Sequence, residues 1–262
     1  MKDVLEEIVA HKRLEVAALK AATPLGELAG RVEPLLATPV PSMRQALRES
    51  RSGIIAEFKR KSPSRGWIHA DAQPEQVTPL YERYGAAALS ILTDEKYFGG
   101  NDDFVVRTHQ LGVKLPILYK NFVIDEYQLY QARLCGASAV LLIAADLSLD
   151  ECRTLLGKSH ELGLEVLLEM HGERDLDYAA LEPDMCGINN RNLGTFVTDV
   201  HNSFAMAERL PREAVKVSES GISDPAVVRQ LCDAGYCGFL IGERFMSRDN
   251  PGVALREFIE AL

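Results

Sequence analysis

From Ile54 onward, apolar positions of the chain gather into short β-rich runs. They are IIAEF from Ile54, ALSIL from Ala88, LPILY from Leu115, SAVLLI from Ser138, LEVLLEM from Leu164, MCGIN from Met185, VKVSES from Val215 and GFLIG from Gly238. Successive runs are separated by enough chain for one helix and two loops. The intervening segments ADAQPEQVTPLYERYGA, DEYQLYQARLCGA, SLDECRTLLGKSHELG and DPAVVRQLCDAGY carry helical spacing, and Gly85, Gly136, Gly163 and Gly235 stand where a helix would turn at its end. Asp224-Pro225 supplies an N-cap followed by a first-turn proline. Eight alternating units predict an α/β protein, a closed (β/α)8 TIM barrel. An open doubly wound sheet would ask for a glycine-rich dinucleotide turn after its first strand. The first strand here runs instead into Lys59-Arg60-Lys61-Ser62-Pro63.

Residues 1–48 read differently. Val4, Ile8, Leu14, Ala18 and Leu19 suggest one apolar stripe of a helix, with Glu and Lys on the other side. Thr23-Pro24 stops that helix, and a proline-containing stretch leads to Ser42, a good N-cap for MRQALRES. This segment is too short to bury a core alone. The expectation is a single domain over 1–262, with an N-terminal helical extension (1–48) covering a barrel (49–262).

In such a barrel the C-terminal ends of the strands converge on one mouth. Here those ends are polar: Glu57 and Lys59 on the first, Lys120 on the third, Glu169 on the fifth, Asn189 and Arg191 on the sixth, Glu219 and Ser220 on the seventh, Gly242 and Glu243 on the eighth. A solvated strand end or a structural ion pair accounts for any one of them. Charges from so many strands aimed into one space are costly to desolvate without a ligand or mutual pairing, and together they read as an active site. SGIS from Ser220 and GFLIG from Gly238 place small residues in the loops after strands seven and eight, where these barrels cradle phosphate, with Lys59 or Ser62 closing from strand one.

Composition narrows the class. Forty-seven per cent hydrophobic and 26% charged residues exclude a disordered or low-complexity chain, and a net charge of −9 argues against a general nucleic-acid binder while leaving room for a small anionic substrate. The five cysteines (Cys135, Cys152, Cys186, Cys232, Cys237) form no CxxC pair, and no HxH or HxxxH pair exists; only His171, two residues past Glu169, approaches the expected mouth. No metal and no cofactor are expected. Alternating charges in the opening segment suit neither a signal nor a transit peptide, and no uncharged apolar run approaches 18 residues, so the expectation is a cytoplasmic protein without a membrane span.

The blocks AEFKRKSPSRG, LSILTDEKYFGG, LYKNFVID, LLEMH, GINNRNL, SESGIS and FLIGERFM, in this order, closely resemble the indole-3-glycerol phosphate synthase family over nearly the whole chain. The resemblance implies conversion of 1-(2-carboxyphenylamino)-1-deoxyribulose 5-phosphate to indole-3-glycerol phosphate, carbon dioxide and water, in tryptophan biosynthesis. It implies Lys120 as general acid for ring closure, Glu169 as general base, and Lys59 as a substrate contact that also donates a proton. Glu57, Asn189, Arg191, Glu219 and Ser220 would position substrate or support the lysines. Ser62, Gly221 and Gly242, with Glu243 beside them, would form the phosphate neighbourhood. Asn121 and Asn192 stand where the family carries acids, which touches the charge behind the site and the anchoring of its loops. The expected partner is a small anionic phosphosugar-aryl substrate, with neither nucleic acid nor membrane, and the chain is compatible with a monomer. For ring closure the ketone oxygen must gain a proton, and a lysine pKa lowered by burial and neighbouring cations would suit that step. Two other readings are a phosphosugar isomerase or Schiff-base aldolase using Lys120 as nucleophile, and a barrel that only binds or scaffolds.

Overall fold

The computed structural model describes residues 4–192 and 197–262; Leu193, the last residue of the block GINNRNL, lies outside them. Eight parallel strands close into a barrel: β1 (Ile54–Phe58), β2 (Ala88–Leu92), β3 (Ile117–Lys120), β4 (Ala139–Ile143), β5 (Glu165–Met170), β6 (Met185–Asn189), β7 (Val215–Glu219) and β8 (Gly238–Ile241). Each of the eight runs read from the sequence forms one of them. The ring is sealed where β1 pairs with β8 through Ile54↔Phe239 and Ile55↔Leu240. Helices follow the strands as expected, at Pro74–Arg83, Glu126–Cys135, Leu149–Glu161 and Pro225–Asp233 among others. Gly85, Gly136, Gly163 and Gly235 all adopt positive φ, the left-handed conformation that ends a helix.

Alternation along the strands sorts side chains into two cores. Ile55, Leu118, Leu141, Leu167, Met185, Val217 and Leu240 point inward and fill the barrel. Ile54, Ala56, Leu89, Val140, Val166, Ile188 and Phe239 point outward and pack beneath the helices. With the lower barrel packed by aliphatic groups, the polar residues further along β1, β3, β5, β6 and β7 form a floor for the mouth.

The extension consists of α1 (Val4–Ala22), α2 (Leu25–Val32), a short 3-10 turn at Glu33–Ala37 and α3 (Met43–Glu49). Ser42 caps α3 by accepting from the Gln45 N–H, and Met43 and Leu47 plug the bottom of the barrel. Glu165, at the start of β5, fixes this plug by accepting from the Ser42 hydroxyl at 2.5 Å and the Arg44 N–H at 2.8 Å. The apolar stripe of α1 differs from its sequence reading. Ile8, Val9, Lys12 and Val16 are its buried residues, whereas Leu14 is 71% exposed. Leu14 follows Ile8 by six positions, roughly 240° at 100° per residue, so the two cannot share a face. Lys12 sits on the inner face because it has a buried partner: its ammonium lies 2.8 Å from Asp94, and neither side chain is more than 1% exposed. Among the described residues, no helix is long and apolar enough to cross a membrane.

Candidate active site

The strand ends enclose a cavity of about 520 Å3, and Glu57, Lys59, Ser62, Lys120, Glu169, Asn189, Arg191, Glu219, Ser220, Gly221, Gly242 and Glu243 all line it. The sequence reading named these twelve, from six strands and the loops that follow them. One wall went unnoticed: Phe98, Phe122, Leu141 and Ile143, with Val4, Leu5 and Ile8 of the extension, give the cavity an apolar side. Their strand and helix patterns look like ordinary core, and only the closed topology turns them toward a ligand.

At the centre the Lys120 ammonium donates to Glu219 at 2.7 Å and lies 3.5 Å from a Glu169 oxygen. Glu169 also accepts from the Asn189 amide at 3.0 Å, and the His171 ring stands 3.3 Å away. Across the mouth Lys59 pairs with Glu57 at 2.6 Å. Glu57, Glu169 and Glu219 are each at most 3% exposed. Three buried carboxylates thus face two lysines, one negative charge too many for a desolvated space. The imbalance falls on Glu219: burial raises its pKa, the Lys120 ammonium opposes this, Glu169 and Glu57 add to the rise, and the carboxyl is pushed up to about 7. One Glu219 oxygen, Oε1, is buried without a hydrogen-bond partner. Glu169 goes the other way. Burial raises it, but Lys120, His171 and the Asn189 bond outweigh burial and hold its carboxyl below the usual range.

Lys120 requires a correction. Its neighbours are carboxylates rather than cations, and although burial alone would depress its pKa, Glu219, Glu169 and Glu57 carry it above the ordinary lysine value. It is an ammonium at neutral pH. His171 belongs to the site's support, because it touches Glu169 without lining the cavity.

Local sequence builds the rim. Ser220 has φ +68 and Gly221 φ +77, a left-handed pair immediately after β7; a Cβ on Gly221 would stand 2.6 Å from the Thr198 methyl. A Cβ on Gly242 would collide with the Glu57 carboxylate, so glycine there lets Glu57 reach Lys59. Gly100, in the block LSILTDEKYFGG, presses on the backbone of Leu92 and Thr93 too closely for any side chain. Ser62 is buried, and its hydroxyl accepts from the Arg65 N–H at 3.3 Å. Arg65 pairs with Glu243 at 2.9 Å, while Arg191 donates to the Ser64 hydroxyl at 2.9 Å, fastening the loop after β1 across the mouth. Asn121 anchors its own loop through neutral bonds, donating to the Thr93 hydroxyl at 2.8 Å and accepting from the Phe122 N–H at 2.9 Å. Asn192 donates its main-chain N–H to the Val197 carbonyl at 2.8 Å.

The family described as indole-3-glycerol phosphate synthase matches residues 5–258. A protein of that name from Bacteroides thetaiotaomicron is 55% identical over 262 residues, covering 100% of both chains. One from Azoarcus sp. is 41% identical over 261 residues, covering 98% of each. Among solved structures, a 3-hexulose-6-phosphate synthase superposes with a TM-score of 0.64 at 12% identity, over 80% of this chain and 99% of that one. This last likeness is one of fold alone.

Proposed function

The chain belongs to the indole-3-glycerol phosphate synthase family, and we propose that the residues lining its cavity divide that family's reaction among them as follows. The activity is that of a carboxy-lyase of tryptophan biosynthesis: ring closure, decarboxylation and dehydration convert 1-(2-carboxyphenylamino)-1-deoxyribulose 5-phosphate to indole-3-glycerol phosphate.

In the first step the ring carbon bearing the carboxylate attacks the ketone, and the ketone oxygen takes up negative charge. Lys120, charged and buried, donates its proton there. Its raised pKa is no obstacle, because an alkoxide is a far stronger base than any lysine amine. An ammonium already in position also stabilises the developing charge without solvent reorganisation. Loss of carbon dioxide then restores aromaticity. Dehydration needs an acid for the leaving hydroxyl and a base for the proton released. Lys59, held by Glu57, serves as the acid, and Glu169, kept ionised by Lys120 and His171, serves as the base. Asn189 orients Glu169, and Glu219 holds Lys120. The apolar wall of Phe98, Phe122 and Leu141 takes the aryl ring. Ser220, Gly221, Gly242, Ser62 and Lys59 take the phosphate, with Arg191 and Glu243 at the rim.

The observation carrying this reading is the contact of Lys120 with both Glu169 and Glu219 on the floor of a cavity with one apolar wall. It also weighs against a Schiff-base aldolase, whose lysine must shed its proton to act as a nucleophile. Lys59, Lys120 and Arg191 in the cavity lining suit a small anionic substrate. Five unpaired cysteines, three of them buried, suit a reducing compartment such as the cytoplasm. Purified protein incubated with the carboxyphenylamino ribulose phosphate should develop indole fluorescence with release of one carbon dioxide per product. Substrate that persists unchanged with stoichiometric enzyme overturns the reading.

A further inference from the structure

The run Asn189-Asn190-Arg191 sends its first and third side chains into the cavity, while Asn190, 4% exposed, turns away from it. Its amide is fully used. Nδ2 donates to the Ser220 carbonyl at 3.0 Å and to the Ser218 hydroxyl at 3.1 Å; Oδ1 accepts from the Ser203 N–H at 3.0 Å and the Ser203 hydroxyl at 2.8 Å. The Ser203 and Ser218 oxygens lie 2.8 Å apart, and both residues are 0% exposed. Donors and acceptors balance around this ring in one direction only. The amide donates to Ser218, Ser218 to Ser203, and Ser203 back to the amide oxygen. Tyr236 adds a bond from its hydroxyl to the Ser203 carbonyl at 2.7 Å. Main-chain bonds lock Asn190 itself, its N–H donating to the Glu219 carbonyl and its carbonyl accepting from the Asp199 N–H, both at 2.9 Å.

The second donor of the Asn190 amide leaves the ring and reaches the Ser220 carbonyl. Among the described residues only Ser220 and Glu182 hold positive φ without being glycine. A side chain disfavours that conformation, so something outside the turn must hold it. Asparagine fits the task, since its amide supplies two donors and an acceptor at this length. Aspartate would turn an oxygen toward the Ser220 carbonyl, and serine is too short to span to it.

We propose that Asn190 is a positioning residue for the phosphate subsite, fixing the left-handed Ser220-Gly221 turn through the Ser220 carbonyl from a ring of buried hydrogen bonds behind the site. The inference rests on the assignment of that turn to phosphate under the proposed function. The test compares kcat/KM for the phosphorylated substrate with that for the same molecule ending in a 5′-hydroxyl, and measures inorganic phosphate affinity by calorimetry. Asn190→Asp keeps the acceptor and removes the donors. It should weaken phosphate binding about tenfold or more and lower kcat/KM on the phosphorylated substrate by a similar factor, mainly through KM. On the 5′-hydroxyl substrate it should change kcat/KM less than about twofold. Ser203→Ala cuts the ring but spares the link to Ser220, so it should lower the unfolding midpoint and keep phosphate affinity within about twofold. Should Asn190→Asp not fold, Asn190→Ser carries the same comparison. Phosphate affinity within twofold of the parent, or equal losses on both substrates, overturns the proposal when Gly221→Ala does weaken phosphate. If Gly221→Ala also leaves phosphate binding unchanged, the phosphate assignment of the turn has failed and the inference falls with it.

Discussion

Replacing Lys12 by methionine removes the one counter-charge that stands, among the described residues, within ion-pair distance of Asp94, a side chain with no exposure at all. The second Lys12 contact, to Glu15 at 2.9 Å, is half in solvent and contributes little. Breaking a buried pair from one side leaves an unpaired charge and costs about 3–5 kcal/mol. In a domain of this size that lowers the unfolding midpoint by roughly 6–15 °C. Asp94→Asn should cost a similar amount by stranding the lysine, while its side-chain oxygen still caps the Tyr97 N–H now held at 2.8 Å. Lys12→Met combined with Asp94→Asn leaves no buried charge and should recover most of the loss, as buried pairs replaced whole often do. The same variants report on function, because α1 carries Val4, Leu5 and Ile8 into the cavity wall. A looser α1 should raise substrate KM more than it lowers kcat. Urea unfolding of the two single variants and the double, with steady-state kinetics on each, makes the measurement. Single variants within about 1 kcal/mol of the parent, or a double variant showing the sum of both losses, would refute the reasoning.

Two further outcomes follow from the site. Glu219 has a pKa of about 7 in the folded chain and an ordinary carboxyl value when unfolded. The folded state therefore holds this proton more tightly, and the stability it lends is complete below about pH 4.5 and lost as pH rises through 7. The unfolding midpoint of Glu219→Gln relative to the parent should climb between about pH 5 and 8 and level off above; a flat difference across that range contradicts the assignment. Gly242→Ala should displace the Glu57 carboxylate from Lys59, at an overpacking cost of about 1–3 kcal/mol, with a drop in kcat/KM. Unaltered kinetics and midpoint would show that Glu57 has room to spare.

The barrel could be read from the sequence because strand and helix periods alternate cleanly and the helix-ending glycines sit at positions that need positive φ. The polar cavity residues were legible for a related reason: a polar group ending an apolar strand has few places to go but the mouth. Other features depend on tertiary partners. The inner face of α1 includes a lysine, which a binary pattern assigns to solvent, and only Asp94, far along the chain, accounts for it. The apolar wall is built from residues such as Leu141 and Phe122, whose patterns match those of the packed core. The state of Lys120 is not legible in the sequence because the signs of its neighbours depend on which strand ends meet it, and those are Glu219, Glu169 and Glu57. Asn190 carried no signal of its own, lying between two residues that face the cavity.

Lys120 as the proton donor to the ketone oxygen is the claim on which the chemistry turns, and a single-turnover experiment with Lys120→Ala addresses it directly. With enzyme in excess over the carboxyphenylamino ribulose phosphate and the variant's fold checked by its unfolding transition, ring closure should slow by about 10²–10⁴, the range for lost general acid catalysis. Ring closure at close to the parental rate would contradict the account and move the proton to another residue.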